Sequence, residues 1–335
     1  MLTRVLADLQ IGTERAVRRR ILLIVSLLVG IPFAVLPHLD LVVVGVIQSL
    51  QALVPVASIV VLACALVMLV LRAWGAAAVL AAAAVAGVLP TLTPTGAFAQ
   101  ADGVACGAEA AAFRVVSFNA QFGEADPGRL AAQIRDEDPD AVILVEATEP
   151  LIRALLVDEG LAEALPERSG EVSTGGASGS VILSAHPLRD EDRAPGSAFD
   201  QPTAVAAVPG FGDVRLVAVH PHPPIPGARL WRDGLGMLDR WLEAAPDETL
   251  IVAGDFNASY AHPAFRELAG GFVNASAAAG PIPWPTWPES DRPIPAFTAI
   301  DHVLVRGGAP AEWRSFAVEG SDHRGVAAGL RLCGA

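Results

Sequence analysis

The stretch Leu250-Ile-Val-Ala-Gly-Asp-Phe-Asn257 joins a short apolar run to two polar side chains, and it decides the fold. An uninterrupted apolar run of this length indicates a strand that is buried on both faces. Asp255 and Asn257 follow that strand in a Gly-Asp-Phe-Asn turn. Taken alone, such a turn is more often structural than catalytic. Its interpretation therefore depends on the segments on either side of it.

Short apolar strands alternate with helical patterns on both sides of this stretch. Further strands are predicted at 113–118, 141–145, 180–184, 204–208, 214–219, 302–305 and 325–332. Helical spacing of apolar residues, or a helix start signal, occurs at 127–137, 150–159, 229–244 and 263–268. Because a strand that is apolar on both faces must be covered on both, this alternation predicts stacked sheets with helices outside them.

Polar side chains recur at the positions where these strands begin or end, so we expect them to converge into one cleft. They are Asn119, Glu146, His220, Asp255, Asn257, Asp301, Asp322 and His323. Phosphoester hydrolysis needs such a set. A hard cation prefers carboxylate and amide oxygens, a carboxylate or His takes the proton of a water, and a carboxylate holds a His in one tautomer. Asp301 and His323 would form that last pair.

The order of these motifs resembles that of the endonuclease/exonuclease/phosphatase superfamily. The motifs are Ser117-Phe-Asn119, Leu144-Val-Glu146, Ser180-Val-Ile-Leu-Ser184, Val219-His220, Gly254-Asp255-Phe-Asn257, Ile300-Asp301-His-Val-Leu and Ser321-Asp322-His323. The resemblance covers residues 113–332. It implies an α/β fold, a four-layered α/β sandwich like that of deoxyribonuclease I, and hydrolysis of phosphoester bonds.

The resemblance also implies a metal site. Asn119, Glu146 and Asp322 would hold Mg²⁺ or Mn²⁺ in a cleft that binds the phosphoester substrate.

The same resemblance implies roles for the remaining polar residues. His323, oriented by Asp301, would be the catalytic His. Asp255 would position or deprotonate the attacking water, with Asn257 beside it. His220 would donate a hydrogen bond to a phosphate oxygen.

Two features disfavour a nucleic-acid substrate. Ala185 and Thr298-Ala299 stand where many relatives carry basic residues. The chain contains no Lys, and residues 101–335 carry 17 Arg against 33 acidic residues. Because nucleic-acid binding draws much of its affinity from Lys and Arg contacts with phosphates, a small or membrane-borne phosphoester is favoured.

The first hundred residues have a different character. Residues 21–39, 41–71 and 73–101 carry no formal charge, and about 20 apolar residues suffice to cross a bilayer. They lack the polar stripe of a helix in a soluble bundle. We therefore predict three transmembrane helices, at about 21–39, 50–71 and 74–90.

The distribution of Arg predicts the orientation of these helices. Arg15, Arg18, Arg19 and Arg20 precede the first span, and Arg72 separates the second from the third. The positive-inside rule places both positions in the cytoplasm. The chain is then a multi-pass protein of the cell membrane, with a cytoplasmic segment 1–20, a linker at 91–112 and an extracytoplasmic catalytic domain.

Two alternatives concern the linker. Ala97-Phe98-Ala99 has the small-x-small pattern of a signal-peptidase site, and cleavage there would release the catalytic domain. Cys106 and Cys333 flank that domain and form either a disulfide or two separate thiols, an oxidising compartment favouring the disulfide. Cys64 lies within a predicted span.

The sequence thus predicts a membrane-anchored, metal-dependent phosphoesterase that acts on a lipid headgroup, a nucleotide or extracellular nucleic acid. One alternative is an extracellular nuclease of the same family. The other is a non-catalytic, membrane-attached binding domain that has kept the fold. A transporter is disfavoured, because no acidic or basic residue lies inside a predicted span.

Overall fold

The computed structural model describes residues 2–43, 45–95, 110–289 and 294–333, with side chains from Thr13 onward. Residues 110–333, called the body below, are built around two six-stranded sheets. The first sheet contains, in spatial order, β11 (Gly308–Ala317), β12 (Arg324–Leu332), β1 (Ala111–Asn119), β2 (Ala141–Val145), β4 (Ser180–Ser184) and β3 (Glu167–Arg168). The second contains β5 (Leu188–Arg193), β6 (Pro202–Val208), β7 (Gly212–Val219), β8 (Leu250–Asp255), β10 (Asp301–Arg306) and β9 (Val273–Asn274).

The core has three apolar layers, because alternate residues of each strand point to opposite faces. Phe113 and Val115 of β1 pack between the two sheets, together with Ile251 of β8. The outer face of the first sheet packs against α5 (Pro127–Glu137) and α6 (Glu149–Arg153). The outer face of the second sheet packs against α7 (Pro224–Ala244) and α8 (Pro263–Ala269). This helix–sheet–sheet–helix order confirms the predicted four-layered α/β sandwich.

The predicted strands are all present, but the prediction missed β3, β5, β9 and β11. The strand β5 has the sequence Leu-Arg-Asp-Glu-Asp-Arg and is largely exposed at the edge of its sheet, so no apolar pattern marks it. The helix predicted at 150–159 is α6 followed by a π-helical turn, Ala154–Asp158.

The N-terminal region is helical, as predicted, with α1 (Leu2–Val35), α2 (Val46–Ala52), α3 (Val54–Val70) and α4 (Trp74–Val88). Two of its helical segments, Thr13–His38 and Trp74–Thr91, are long and apolar enough to cross a membrane. The pair α2 and α3 would make a third span, but it is bent by 64°.

The bend between α2 and α3 differs from the single helix predicted at 50–71. The helix α3 begins at Val54, and Pro55 occupies its first turn. Proline has no N–H to donate and its ring clashes with the preceding turn, so a continuous helix through this position is disfavoured. The first helix differs as well, because α1 extends N-terminally far beyond residue 21.

Polar contacts join the N-terminal region to the body. Asp40 forms an ion pair with Arg232 of α7. The guanidinium of Arg266 donates to the carbonyl of Pro37 at 2.6 Å. Further along the chain, the backbone N–H of Thr93 donates to the carbonyl of Pro281 at 2.8 Å. The helical region therefore contacts the body on both sides of the bent helix pair.

Two predictions fall on residues outside the described ranges. The candidate cleavage site near Ala99 and the cysteine Cys106 both lie within 96–109. The Cys106–Cys333 disulfide therefore stays a prediction. Cys333 is buried just after β12, where a bridge to the start of the body would join its two ends.

Replacing Gly254 with Ala tests the close approach of β7 and β8. Gly254 has φ +146°, and a Cβ there would lie 2.0 Å from the carbonyl oxygen of Val219. Because both the backbone angle and the space exclude a side chain, we expect G254A to lower the free energy of unfolding by about 3 kcal/mol. Denaturant unfolding of the purified protein measures the change.

The matched control is G271A, since a Cβ on Gly271 meets open space. We expect its effect to stay within about 0.5 kcal/mol. Equal stability of the two variants would contradict the strand contact described here.

Candidate active site

The cleft lies where strand ends of the two sheets meet. Strands β1 and β2 run parallel, as do β7 and β8, so that each pair ends at one edge of its sheet. Strands β12 and β10 run antiparallel to β1 and β8, and therefore begin at those edges. Asp301, for example, lies directly opposite Asp255 in the β10–β8 pair. This topology brings the predicted polar residues together.

His323 and Asp301 form the predicted pair. The Nδ1 atom of His323 lies 3.0 Å and 3.2 Å from the two carboxylate oxygens of Asp301. Both side chains are buried. The backbone N–H of His323 donates to Ser321 Oγ, and that of Asp301 donates to Thr286 Oγ1. The ring is thereby fixed with Nδ1 toward Asp301.

Carboxylates surround His323 and decide its charge. Burial by itself lowers the pKa of His323, but Asp301, Asp255 and Asp322 outweigh burial and raise the pKa to about 10. The imidazole is therefore cationic at neutral pH. Its Nε2 atom lies 3.7 Å from Asp255 Oδ2, which is too long for a direct hydrogen bond.

Asn119, at the end of β1, connects the carboxylates of the cleft. Its Nδ2 donates to Glu146 Oε1 at 3.0 Å and to Asp255 Oδ2 at 3.1 Å. Its Oδ1 accepts from the backbone N–H of Gln121 at 2.9 Å. The amide thus presents its nitrogen, not its oxygen, to the two carboxylates. In this orientation the amide positions the two carboxylates, and the role of Asn119 at the metal site stays a prediction.

The carboxylates of Glu146 and Asp255 share one small region. Burial raises the pKa of Glu146, and the nearby Asp255 adds to the rise. Burial also raises the pKa of Asp255, with Asp301 contributing. Oxygen atoms of Glu146 and Asp255 and a ring nitrogen of His220 all lie within 4.8 Å of one another. Carboxylate oxygens that lie close together despite their mutual repulsion are suitable ligands for a divalent cation.

His220, after β7, is neutral. Burial lowers the pKa of His220 to about 4, and its ring stacks on Phe199 with centroids 4.7 Å apart. Its Nε2 lies 3.6 Å from Glu146 Oε1 and 3.9 Å from Asp255 Oδ2. A neutral imidazole at this position donates one hydrogen bond into the cleft without adding charge.

Asp322 lines the same cleft as Glu146 but is more exposed. Its Oδ2 accepts from the indole N–H of Trp287 at 3.1 Å, and its Oδ1 lies 3.9 Å from His323 Nε2. Asp322 therefore has an oxygen free of a described hydrogen bond, directed to the catalytic side.

Asn257 completes the Gly-Asp-Phe-Asn turn. Its backbone N–H donates to Asp255 Oδ1 at 2.7 Å, and its amide donates to the carbonyl of Pro221 at 3.1 Å. The turn is therefore both an Asx turn and part of the site. Asn257 has φ +49° and Glu146 has φ +50°, values that a non-glycine residue adopts only at a cost that the surroundings must offset.

Several residues that line the cleft were not predicted from the sequence. Aromatic side chains from loops line the walls, namely Phe122, Phe199, Trp287 and Phe297. The helix α2 also contributes residues, and no local pattern marks either group as functional. Two further His residues lie nearby: His262 is buried and its Nε2 donates to the carbonyl of Gln48, and His222 packs on Phe199.

Positive charge in the described part of the cleft comes from His323 and not from Arg, because no Arg side chain lines it. Arg324, next to His323, instead pairs with Glu289. A phosphate in this cleft would therefore meet one imidazolium and three carboxylates, Glu146, Asp255 and Asp322. A bound cation would offset this excess of negative charge.

Comparisons with known proteins agree on the family of the body. The sequence model described as the Endonuclease/Exonuclease/phosphatase family matches residues 116–323, more than half of the chain. No curated protein sequence matches the chain.

Solved structures share the fold at low sequence identity. An endonuclease/exonuclease/phosphatase from Beutenbergia cavernae is 23% identical, with a TM-score of 0.50 over 67% of this chain and 72% of that one. TDP2 of D. rerio, complexed with a single-strand DNA product, is 16% identical, with a TM-score of 0.54 over 66% and 99%. Sphingomyelinase C from Streptomyces griseocarneus is 18% identical, with a TM-score of 0.50 over 65% and 99%. These likenesses show the sandwich fold.

Mg²⁺ or Mn²⁺ should stabilise the protein. A divalent cation beside Glu146 offsets the negative charge that Glu146 and Asp255 hold in a buried region, and it binds only the folded cleft. At a hundredfold excess over its Kd, it adds about 2.7 kcal/mol to the free energy of unfolding. Thermal unfolding over a metal titration measures the effect.

We expect E146Q to lose most of this stabilisation. The exposed Glu163 lies outside the cleft, so E163Q should respond to metal as the unaltered protein does. A metal response that survives in E146Q would place the cation elsewhere.

Proposed function

We propose that this chain, which belongs to the endonuclease/exonuclease/phosphatase family, is a membrane-anchored enzyme that hydrolyses a phosphodiester or phosphomonoester with an activated water. Members of this family are phosphodiesterases, nucleases and phosphatases. The observation that carries the proposal is the buried His323–Asp301 pair facing Asp255 across a 3.7 Å gap. An oxygen of a substrate or water that lies beside this gap can be at hydrogen-bond distance from both atoms.

Asp255 is the proposed base. Its raised pKa makes the carboxylate a better proton acceptor than a solvated Asp. Hydrogen bonds from Asn257 and Asn119 hold one oxygen each, so the carboxylate is fixed when the water arrives. The water oxygen forms a bond to phosphorus, its proton passes to Asp255, and the bond from phosphorus to the leaving oxygen breaks.

His323 is the proposed acid and the main cation of the site. Asp301 holds Nδ1–H and keeps the ring charged, which leaves Nε2–H to face the phosphate. It stabilises negative charge there and can pass its proton to the leaving oxygen. The neutral His220 donates a second hydrogen bond to a phosphate oxygen.

The residues present fit a divalent cation, which we propose is Mg²⁺ or Mn²⁺. Glu146 would hold it, with Asp322 on the other side of the cleft and Asn119 positioning Glu146. When bound, such a cation supplies Lewis-acid stabilisation of charge on the phosphoryl oxygens.

The charge of the cleft supports a small or membrane-borne phosphoester more than a nucleic acid. The described lining offers no Arg to a polyanion, and the chain as a whole has a net charge of −13. Long-range repulsion would then slow the approach of a DNA or RNA strand.

Activity should depend on the His323–Asp301 pair. We expect H323Q to lower kcat for bis-p-nitrophenyl phosphate by about 10³-fold or more, because the cation facing the phosphate is lost. D301N should cost about 10²- to 10⁴-fold, since it leaves the ring without its anchoring charge. Both rates are measured on the full chain in detergent with Mg²⁺.

His186 provides a matched control, because its Nε2 contacts Asp140 Oδ1 at 2.8 Å in a second His–Asp pair outside the cleft. H186Q should retain full activity. If the unaltered protein turns over none of a panel of phosphoesters yet binds metal, it is a binding module and the proposal fails.

We further propose that the N-terminal helices cross the cell membrane and that the body faces away from the cytoplasm. The supporting observations are the apolar helices and the cluster of Arg that precedes the first of them.

Cysteine labelling in intact cells tests this orientation. In a C64S background, V157C places a thiol on the exposed surface of the body and R18C places one in the Arg cluster at the N-terminal end of the first candidate span. A membrane-impermeant maleimide should label V157C in intact cells and R18C only after permeabilisation. The reverse pattern would invert the proposed topology.

A further inference from the structure

The helix α2 of the N-terminal region forms one wall of the catalytic cleft. Gln48, Ser49, Ala52 and Leu53 line the same cavity of about 460 Å³ as Asp255 and His323. The cleft is therefore not a property of the body alone. The first helix of the bent candidate span completes it.

This wall is held in place by specific contacts. The side-chain amide of Gln51 donates to the carbonyls of Leu36 and Leu39, which ties α2 to the end of the first helical segment. The carbonyl of Gln48 accepts from the buried His262 of the body at 3.0 Å. Gly45 packs so closely against Pro224 that a Cβ would lie 2.5 Å from its carbonyl oxygen.

Exposed apolar side chains from three separate segments line the cleft. Leu53 lies at the bend between α2 and α3, Phe122 in the loop after β1, and Ile225 in the non-helical first turn of α7. Their exposed fractions are 41%, 49% and 57%. Exposed apolar residues that are grouped at one site indicate that the site binds an apolar group. The same cavity is lined by Glu146, Asp255 and His323.

Gln48 gives a second, independent indication that the cleft binds a ligand. This residue is 3% exposed and lines the cleft, and its Oε1 has no hydrogen-bond partner among the described residues. A buried acceptor without a partner is costly. A hydroxyl or amine of a bound headgroup would satisfy it.

We propose that the substrate is the phosphoester of a membrane lipid, which enters the cleft from the bilayer past the bend between α2 and α3. The inference rests on the proposed function and names its substrate class. Leu53 lines the cleft and is followed directly by Val54, the first residue of α3, which together with α2 forms the bent candidate span, so the apolar lining is continuous with that span. The phosphate then lies at His323 and the acyl chains lie against Leu53 and Ile225.

Two synthetic esters isolate the contribution of an apolar chain. p-Nitrophenyl methyl phosphate and p-nitrophenyl dodecyl phosphate share the leaving group and the phosphodiester and differ in chain length alone. With the full chain in detergent micelles, we expect kcat/KM for the dodecyl ester to be about 100-fold higher, since each buried methylene contributes binding free energy. Its rate should also follow the mole fraction of ester in the micelle and not the bulk concentration.

Two variants from separate segments test the lining. L53N and I225N should each lower the preference for the dodecyl ester about tenfold. V157N, at a comparably exposed apolar residue outside the cleft, should leave both rates unchanged. Thermal unfolding of all three variants excludes a general loss of structure.

The outcomes separate this inference from the proposed function. Equal kcat/KM for the two esters, or an unchanged preference in both L53N and I225N, overturns the lipid substrate while the phosphoesterase stands. No hydrolysis of either ester or of bis-p-nitrophenyl phosphate overturns the phosphoesterase itself.

Discussion

The structure depends on how it holds several carboxylates out of water at one end of two sheets. Asp255 and Asp301 are buried and face each other across neighbouring strands, and Glu146 is close by. Buried like charges are unfavourable unless a counter-charge or hydrogen bonds offset them. The imidazolium of His323 lies between Asp301 and Asp255, and the amide of Asn119 bridges Asp255 and Glu146. The surplus negative charge that remains makes the site suitable for a divalent cation.

The backbone around these charges is strained where the site needs it. Gln121, Phe122, Glu146 and Asn257 all have positive φ in loops that follow strands. Such conformations persist because the surrounding structure fixes both ends of each loop. Glu146 follows β2, whose five residues are all fully buried, so the strand cannot relax. The buried strand therefore fixes the position of the Glu146 carboxylate, although the backbone of Glu146 adopts an unfavourable conformation.

Features that depend on local pattern were predictable from the sequence, and those that depend on distant contacts were not. The strands β2 and β8 are apolar on both faces, so their ends and the polar residues after them could be located. The polar edge strand β5 has no such signature. The orientation of the Asn119 amide is decided by Glu146 and Asp255, which lie far away in the chain. The contact of α2 with the cleft could not be predicted, because Gln48 and Gln51 lie at or next to the start of the span predicted at 50–71.

The contacts of α2 explain why polar residues precede a candidate span. Gln51 is 1% exposed and donates both N–H groups to carbonyls at the end of the first helical segment. His262, neutral because burial lowers its pKa to about 4, donates to the carbonyl of Gln48. Each such hydrogen bond stabilises the structure by about 1 kcal/mol. Together with the Asp40–Arg232 ion pair, they fix the orientation of the body relative to the N-terminal helices. With the N-terminal helices in a membrane as proposed, the contacts that complete the cleft also hold its catalytic groups at a set position relative to the bilayer, which favours a substrate that stays in the bilayer.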